Sequence, residues 1–458
     1  MIRILFAILI SCSFSISYFA QTTKVGFFDK LASTKFISQG TELYNAGGTT
    51  DALMVFKQAR VKNPNNWKAY YWLATTEFEV NSYDLALEDA NKALELTKDK
   101  SNGELQLLLG KINHKLNLIE SALTYFKSAK GTFGEKEAKD LDIPIFIAQC
   151  EFALNEKKNG VQNKRLSISD KLNTKYDEYS PILIDGGKQM FFTARTPETI
   201  GNNLNPDDQR FFEDIYHAVL NSSTGNWEIK AETMDGINTE GFDALNFVSR
   251  DGLYGLGTLN TSASKEKTTT SSEIFEINTD IPGTWGSPEI IKNSDINSSF
   301  FEGSATITDT VFNEDESYYQ VMYFVSDRNG DKSLTDIFSV EKKNGVWQTP
   351  KMLPKEINSL GRETTPFITP DGKFLFFSSD ALPGMGGYDI YYSENLGSSW
   401  GKPVNLGATF NTIDDDSHFQ IYFDMKKAVM AGIQENDGVY NYDLFEINLE
   451  GLDFPFLK

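Results

Sequence analysis

At 458 residues, with 40% apolar and 13% aromatic side chains, the chain is long enough for two or three packed cores and is not composed like a disordered protein. Its formal net charge of −21 sets up a field that repels phosphate backbones and anionic lipid surfaces, which argues against a nucleic-acid partner.

In chain order, the first element is a leader. Arg3 precedes an apolar run from Ile4 to Ile10, and Tyr18-Phe19-Ala20-Gln21 follows a small-residue stretch, so residues 1–20 read as a signal peptide cut after Ala20. The run is too short to span a bilayer. A second reading stays open, because Leu9-Ile10-Ser11-Cys12 has the shape of a lipobox and would place a lipid anchor on Cys12. The apolar segment after Cys12 favours ordinary secretion. If Cys12 leaves with the leader, Cys150 stands alone and packing, not a disulfide, must hold the exported protein. Cys150 lies in an apolar helical stretch and reads as a small buried hydrophobe.

Residues 33–136 carry a helical repeat. Small residues recur at Ala52, Ala86 and Ala122, again at Ala59, Ala93 and Ala129, and upstream at Gly40, Ala74 and Gly110. Phe56, Ala90 and Phe126 fall between the first two sets. The period is 34 and then 36 residues, the interval of tetratricopeptide (TPR) units, in which small side chains let antiparallel helices approach closely. Residues 137–159 read as a capping helix and linker, with Pro144 starting or interrupting the helix and Asn159-Gly160 ending it.

From residue 163 to 458 the pattern becomes one of strands and turns, and one motif is written five times. Each copy opens with Asn-Thr or Asn-Ser at Asn173, Asn238, Asn297, Asn358 and Asn411, followed at one offset by an acid. An apolar strand, a turn, a second strand and an acidic–aliphatic–aromatic triplet follow, from Asp214-Ile215-Tyr216 to Asp443-Leu444-Phe445. Four copies add a tryptophan: Trp227, Trp285, Trp347 and Trp400. The fifth has Phe454 there and ends a strand short, while Leu166–Thr174 before the first copy supplies a spare strand. The simplest solution is a five-bladed β-propeller closed by its own N-terminal strand, with a six-bladed ring as the alternative; the whole is an α + β multidomain chain.

The fourth copy, Pro366 to Lys373 with Phe376-Phe377-Ser378-Ser379-Asp380 and Tyr388-Asp389-Ile390-Tyr391, resembles the WD40-like repeats of TolB-type periplasmic proteins. A TPR array followed by such a propeller resembles exported envelope proteins of the Bacteroidota, some tied to type IX secretion and gliding at the outer membrane. That resemblance implies an exported, periplasmic protein, with association to the outer membrane open. In that group an OmpA-like peptidoglycan-binding domain often follows. This chain stops at the fifth blade, so that anchoring role is not expected of it.

Two sets of residues are candidates for a site. The acids Glu178, Asp243, Glu302, Glu363 and Asp416 form a ring by repeat symmetry. It reads more readily as hydrogen-bonding structure repeated with the blade than as a cation or basic-peptide site. The groove-facing offsets of the helical repeat give Tyr44, Asn45, Tyr71, Phe78, Lys111, His114 and Lys115, an aromatic middle beside a basic end that suits an acidic peptide. The same face could instead pack on the propeller or on the helix at Pro144–Glu156. Asp327 to Ser333 alternates oxygen ligands like a calcium loop, but Phe338 stands where a bidentate Glu is required and Lys332 replaces the turn glycine. With three histidines, His114, His217 and His418, in distant segments, and no nucleophile elbow or phosphate loop, no catalytic residue, metal or cofactor is expected. The expected role is a non-catalytic scaffold for proteins of the outer membrane or periplasm. A glycan- or peptidoglycan-binding propeller is the alternative, and an envelope hydrolase a third.

Overall fold

The computed structural model describes residues 25–458 apart from 206–208, 231–235, 261–270, 283, 330–333 and 437. The expected leader, Cys12 and the second half of the calcium-like loop lie outside the described residues. No described helix is long and apolar enough to cross a membrane. The chain divides into two compact units, one running to Thr76 and including Glu88–Lys98, the other made of Glu77–Leu87 and Asp99–Lys458.

Among the described residues eight helices come first: α1 (Phe27–Asn45), α2 (Thr49–Lys62), α3 (Trp67–Glu79), α4 (Tyr83–Leu96), α5 (Gly103–Lys115), α6 (Ile119–Thr132), α7 (Glu135–Asp140) and α8 (Ile143–Lys158). The small residues of the repeat permit their pairing. A Cβ added to Gly40 would enter the Phe56 ring, and one added to Gly110 would enter the Phe126 ring. Both phenylalanines are fully buried. The stretch around Pro144 forms two helices: Asp142 takes a left-handed conformation (φ 56°) between them, and Pro144 sits in the first turn of α8, where its missing N–H costs no helical bond.

The remainder is a five-bladed propeller, one antiparallel sheet per blade, not a six-bladed ring. The inner strands are Glu178–Ile184, Phe242–Val248, Glu302–Ile307, Glu363–Ile368 and Asp416–Tyr422. In the fifth blade, Leu166–Ser167 pairs antiparallel with Val439–Asn448, Leu166 opposite Glu446 and Ser167 opposite Phe445. The N-terminal strand therefore closes the ring. Apolar clusters fill the spaces between consecutive blades, and Phe454 and Phe456 pack into the one between the fourth and fifth. Because both faces of a blade are covered, Phe374–Ser379 is buried at every position and loses the alternation of a one-sided strand.

Within the second unit the core runs on from α6 and α8 into the propeller. Phe126, Ile143, Cys150 and Ala153 share one cluster with Met385, Ala408 and Ile413. Burial pushes the Cys150 thiol up to about 12, so it packs as a hydrophobe.

Candidate functional site

The repeated Asn-Thr/Ser and acid of each blade do two local jobs. The Asn amide clips to the aliphatic residue of the preceding triplet: Asn238 accepts from Ile215 N at 2.9 Å and donates to Ile215 O at 2.9 Å. Asn297 with Ile274, Asn358 with Ile337 and Asn411 with Ile390 repeat this. The acid, four residues after the hydroxyl residue, accepts both its backbone N–H and its hydroxyl. Glu178 takes Thr174 N at 2.9 Å and Oγ1 at 2.6 Å; Glu302 takes Ser298 N at 3.0 Å and Oγ at 2.6 Å. Asp243, Glu363 and Asp416 bond Thr239, Ser359 and Thr412 in the same way.

All five ring carboxylates are at most 1% exposed. Among the described residues two have cationic partners: Arg328 donates to Glu302 at 2.9 Å, and Arg165 pairs with Asp416 while lying over the Phe445 ring. Loss of water dominates the titration of four of these acids. It lifts Glu178 to about 8 and Asp243 to about 7, raises Glu363, and lifts Asp416 to about 6 against the opposing pull of Arg165.

Just past each acid the inner strand bulges. In four blades the residue two positions after the acid is left-handed without being glycine: Ser180 (φ 54°), Ser304 (φ 50°), Thr365 (φ 46°) and His418 (φ 52°). A β-branched threonine there is strained, and neighbouring blades hold the conformation. Ser180 Oγ donates to Leu245 O at 2.7 Å, and His418 N donates to Thr365 Oγ1 at 3.2 Å. Half-buried His418 is driven down to about 3 by loss of water and stays neutral.

These bulges border a cavity of about 530 Å³ to which every blade contributes, from Tyr179 and Ser180 in the first to His418 in the fifth. Its wall mixes hydroxyl and amide side chains with apolar surface, Tyr179, Phe242, Phe301 and Tyr388 supplying aromatic rings and Glu213, Asp327 and Arg362 the charged groups. Sequence reasoning passed over this cavity. Its residues flank the repeated acids but vary from blade to blade, and positive φ at Ser, Thr or His has no signature in the sequence. Among the described residues, no group of three His, Cys, Asp or Glu side chains could hold a metal ion. Asp327 accepts from Phe301 N at 2.9 Å and Asn329 pairs with Asp336.

The groove candidates fall into two groups. In the first unit, Tyr44 and Tyr71 lie edge-on to Trp72, with ring centroids 5.7 and 5.4 Å away; Trp72 in turn stacks on Phe56, and Asn45 is exposed at the end of α1. In the second unit, Phe78 packs on Tyr83, which contacts Tyr440 at 4.8 Å. Lys111 lies over the Phe146 ring, His114 Nε2 donates to Met385 O at 3.0 Å, and Lys115 bonds Asp414 at 2.5 Å. Burial and Lys115 bring His114 down to about 4, so a neutral imidazole makes this bond. Gln149 and Glu156 of α8 bond Gly386 O and Ala408 N. Of the basic end of the expected groove, His114 and Lys115 thus engage propeller loops and Lys111 rests on α8.

No family model and no curated protein matches the chain. Among solved structures, its helical part is similar to the Arabidopsis OM64 TPR domain (23% identity, 25% of this chain and 93% of that one, TM-score 0.23). It is also similar to the Yersinia enterocolitica type III secretion chaperone SycD in complex with a peptide of the translocator YopD (16% identity, 26% and 91%, TM-score 0.24). A third is the second TPR domain of human RPAP3 in complex with an HSP70 peptide (15% identity, 27% and 96%, TM-score 0.23).

Proposed function

We propose that the protein is a non-catalytic interaction scaffold, exported and working in a cell-envelope assembly at the outer membrane. Helical arrays and propellers are both binding folds. The observation that carries the reading is the half-buried aromatic set of the first unit, Tyr44, Tyr71 and Trp72 around buried Phe56. Partly exposed, mutually braced aromatic rings are the side chains that anchor protein interfaces, because they bring large contact area with little entropy left to lose. The leader and the resemblance of the propeller repeats to TolB-type proteins support the envelope as the place of action and its proteins as partners. Secretion or motility machinery is the kind of assembly the resemblance suggests.

The test is capture from detergent-solubilised envelope of the source organism with the full mature chain as bait. A stoichiometric membrane-protein partner, lost with Tyr44→Ala and Tyr71→Ala, supports the scaffold. Retention on cell-wall material alone sinks it.

A further inference from the structure

We propose that the axial cavity of the propeller is a carbohydrate subsite, taking a neutral sugar of one or two rings. This goes beyond the scaffold reading and does not depend on it.

At about 530 Å³ the cavity lies in the range of small-molecule pockets, roughly 300–1,000 Å³, and separate blades converge on it. Its polar groups sort into two classes. The charged ones each hold a partner: Arg362 donates its Nε to Asp380 at 2.8 Å and lies over the Tyr388 ring, Asp327 accepts from Phe301 N, and Glu213 accepts the Tyr179 hydroxyl. Several neutral ones are not. Ser304, Thr364 and Tyr388 line the cavity and their hydroxyls have no hydrogen-bond partner among the described residues, and Asn246 uses its Oδ1 on Thr258 while its amide NH₂ has none there.

Four neutral donors and acceptors from three blades therefore face a ligand-sized space with capacity unspent. A ligand with several hydroxyls matches such a wall, since each would find both a donor and an acceptor. A phosphorylated or otherwise anionic ligand would meet the carboxylates of Glu213 and Asp327 there beside a single arginine, Arg362, that is already ion-paired with Asp380, and the chain's charge of −21 would repel it. An extended peptide is matched less well. It binds by adding a straight strand to a sheet edge, and the wall is broken by bulges at Ser180, Ser304, Thr365 and His418. The left-handed backbone at these positions is the kind of strain that gathers around ligand sites.

The experiment is titration calorimetry of the full mature chain with cellobiose, maltose and diacetylchitobiose, with an uncharged capped tetra-alanine as the peptide probe. Ser304→Gly and Tyr388→Phe each remove one hydroxyl; glycine accepts the positive φ and phenylalanine keeps the ring. At least one sugar should bind, and each variant should weaken it about tenfold, with the melting temperature unchanged. If one variant melts lower, the other decides. No sugar binding at about 10 mM, sugar binding indifferent to both substitutions, or tetra-alanine binding in place of sugar would each overturn the proposal.

Discussion

Asn173 accepts the backbone N–H of Leu444 at 2.8 Å and donates its amide to the Leu444 carbonyl at 2.9 Å, joining residues 271 apart. Every other blade makes the same clip within a span of 21 or 23 residues. What is a local staple elsewhere is the clasp of the whole ring here. Asn173→Ala should cost about 1–3 kcal/mol, read from the denaturant midpoint, because it removes the partner of the Leu444 N–H, while Leu444 O keeps the Ile168 N–H. Deleting residues 166–174 should do far more, exposing the edge of Val439–Asn448 and an uncovered first blade. An unchanged melting transition after the deletion would refute closure by this strand.

Arg165, one residue ahead of the closing strand, reaches the fully buried Asp416 and lies 4.3 Å from the Phe445 ring centroid. Arg165→Met should destabilise the propeller by about 3–5 kcal/mol at neutral pH, because a buried carboxylate loses its counter-charge. The defect should shrink at pH 5. Asp416 already sits near 6 with the arginine present, and without that pull it takes up a proton more readily. Unfolding curves at pH 5 and pH 8 check this, and adding Asp416→Asn should restore much of the loss at pH 8.

The ring acids also set the pH response of the wild-type protein. Folding raises Glu178 to about 8 and Asp243 to about 7, above their ordinary values of 4.5 and 3.8. A raised folded-state pKa contributes stability that is complete below the unfolded value and lost as pH climbs through the folded one. Asp214 and Asp443, both lifted to about 6 by burial, act in the same direction. His114 and His217, lowered to about 4, and His418, lowered to about 3, oppose them, losing stability as pH falls from 6.5 towards those values. The carboxylates span the wider window, so the melting temperature should fall by several degrees between pH 5.5 and 8.5. Glu178→Gln should flatten that slope; an equally steep slope would assign it to other groups.

Gly110 tests the close approach of α5 to α6. Gly110→Ala drives a methyl group into the Phe126 ring at the centre of the cluster shared with the propeller, and should cost about 1–3 kcal/mol. Met385→Ala, which empties a buried position in the same cluster, should cost about 2–5 kcal/mol. If the helices and propeller unfold as one unit, both variants should shift a single calorimetric transition. A transition that splits would show the helices melting apart from the ring.

What the sequence determined by itself is whatever repeats. A blade or helical pair uses the same residue types at the same offsets because each copy solves the same packing problem. The small residues at Gly40, Ala74 and Gly110, the Asn clips and the buried acids therefore announce themselves by period. Blade number and ring closure follow by counting, since a fifth copy without its outer strand needs Leu166–Ser167. The tertiary structure alone decided what does not repeat. His114 on Met385, Glu156 on Ala408 and Arg165 on Asp416 are single contacts between unlike segments, more than 240 residues apart, and no offset encodes them. The axial cavity belongs to the same class. Its wall is built in part from the residues beside the repeated acids, where the residue type differs from blade to blade and no period marks it.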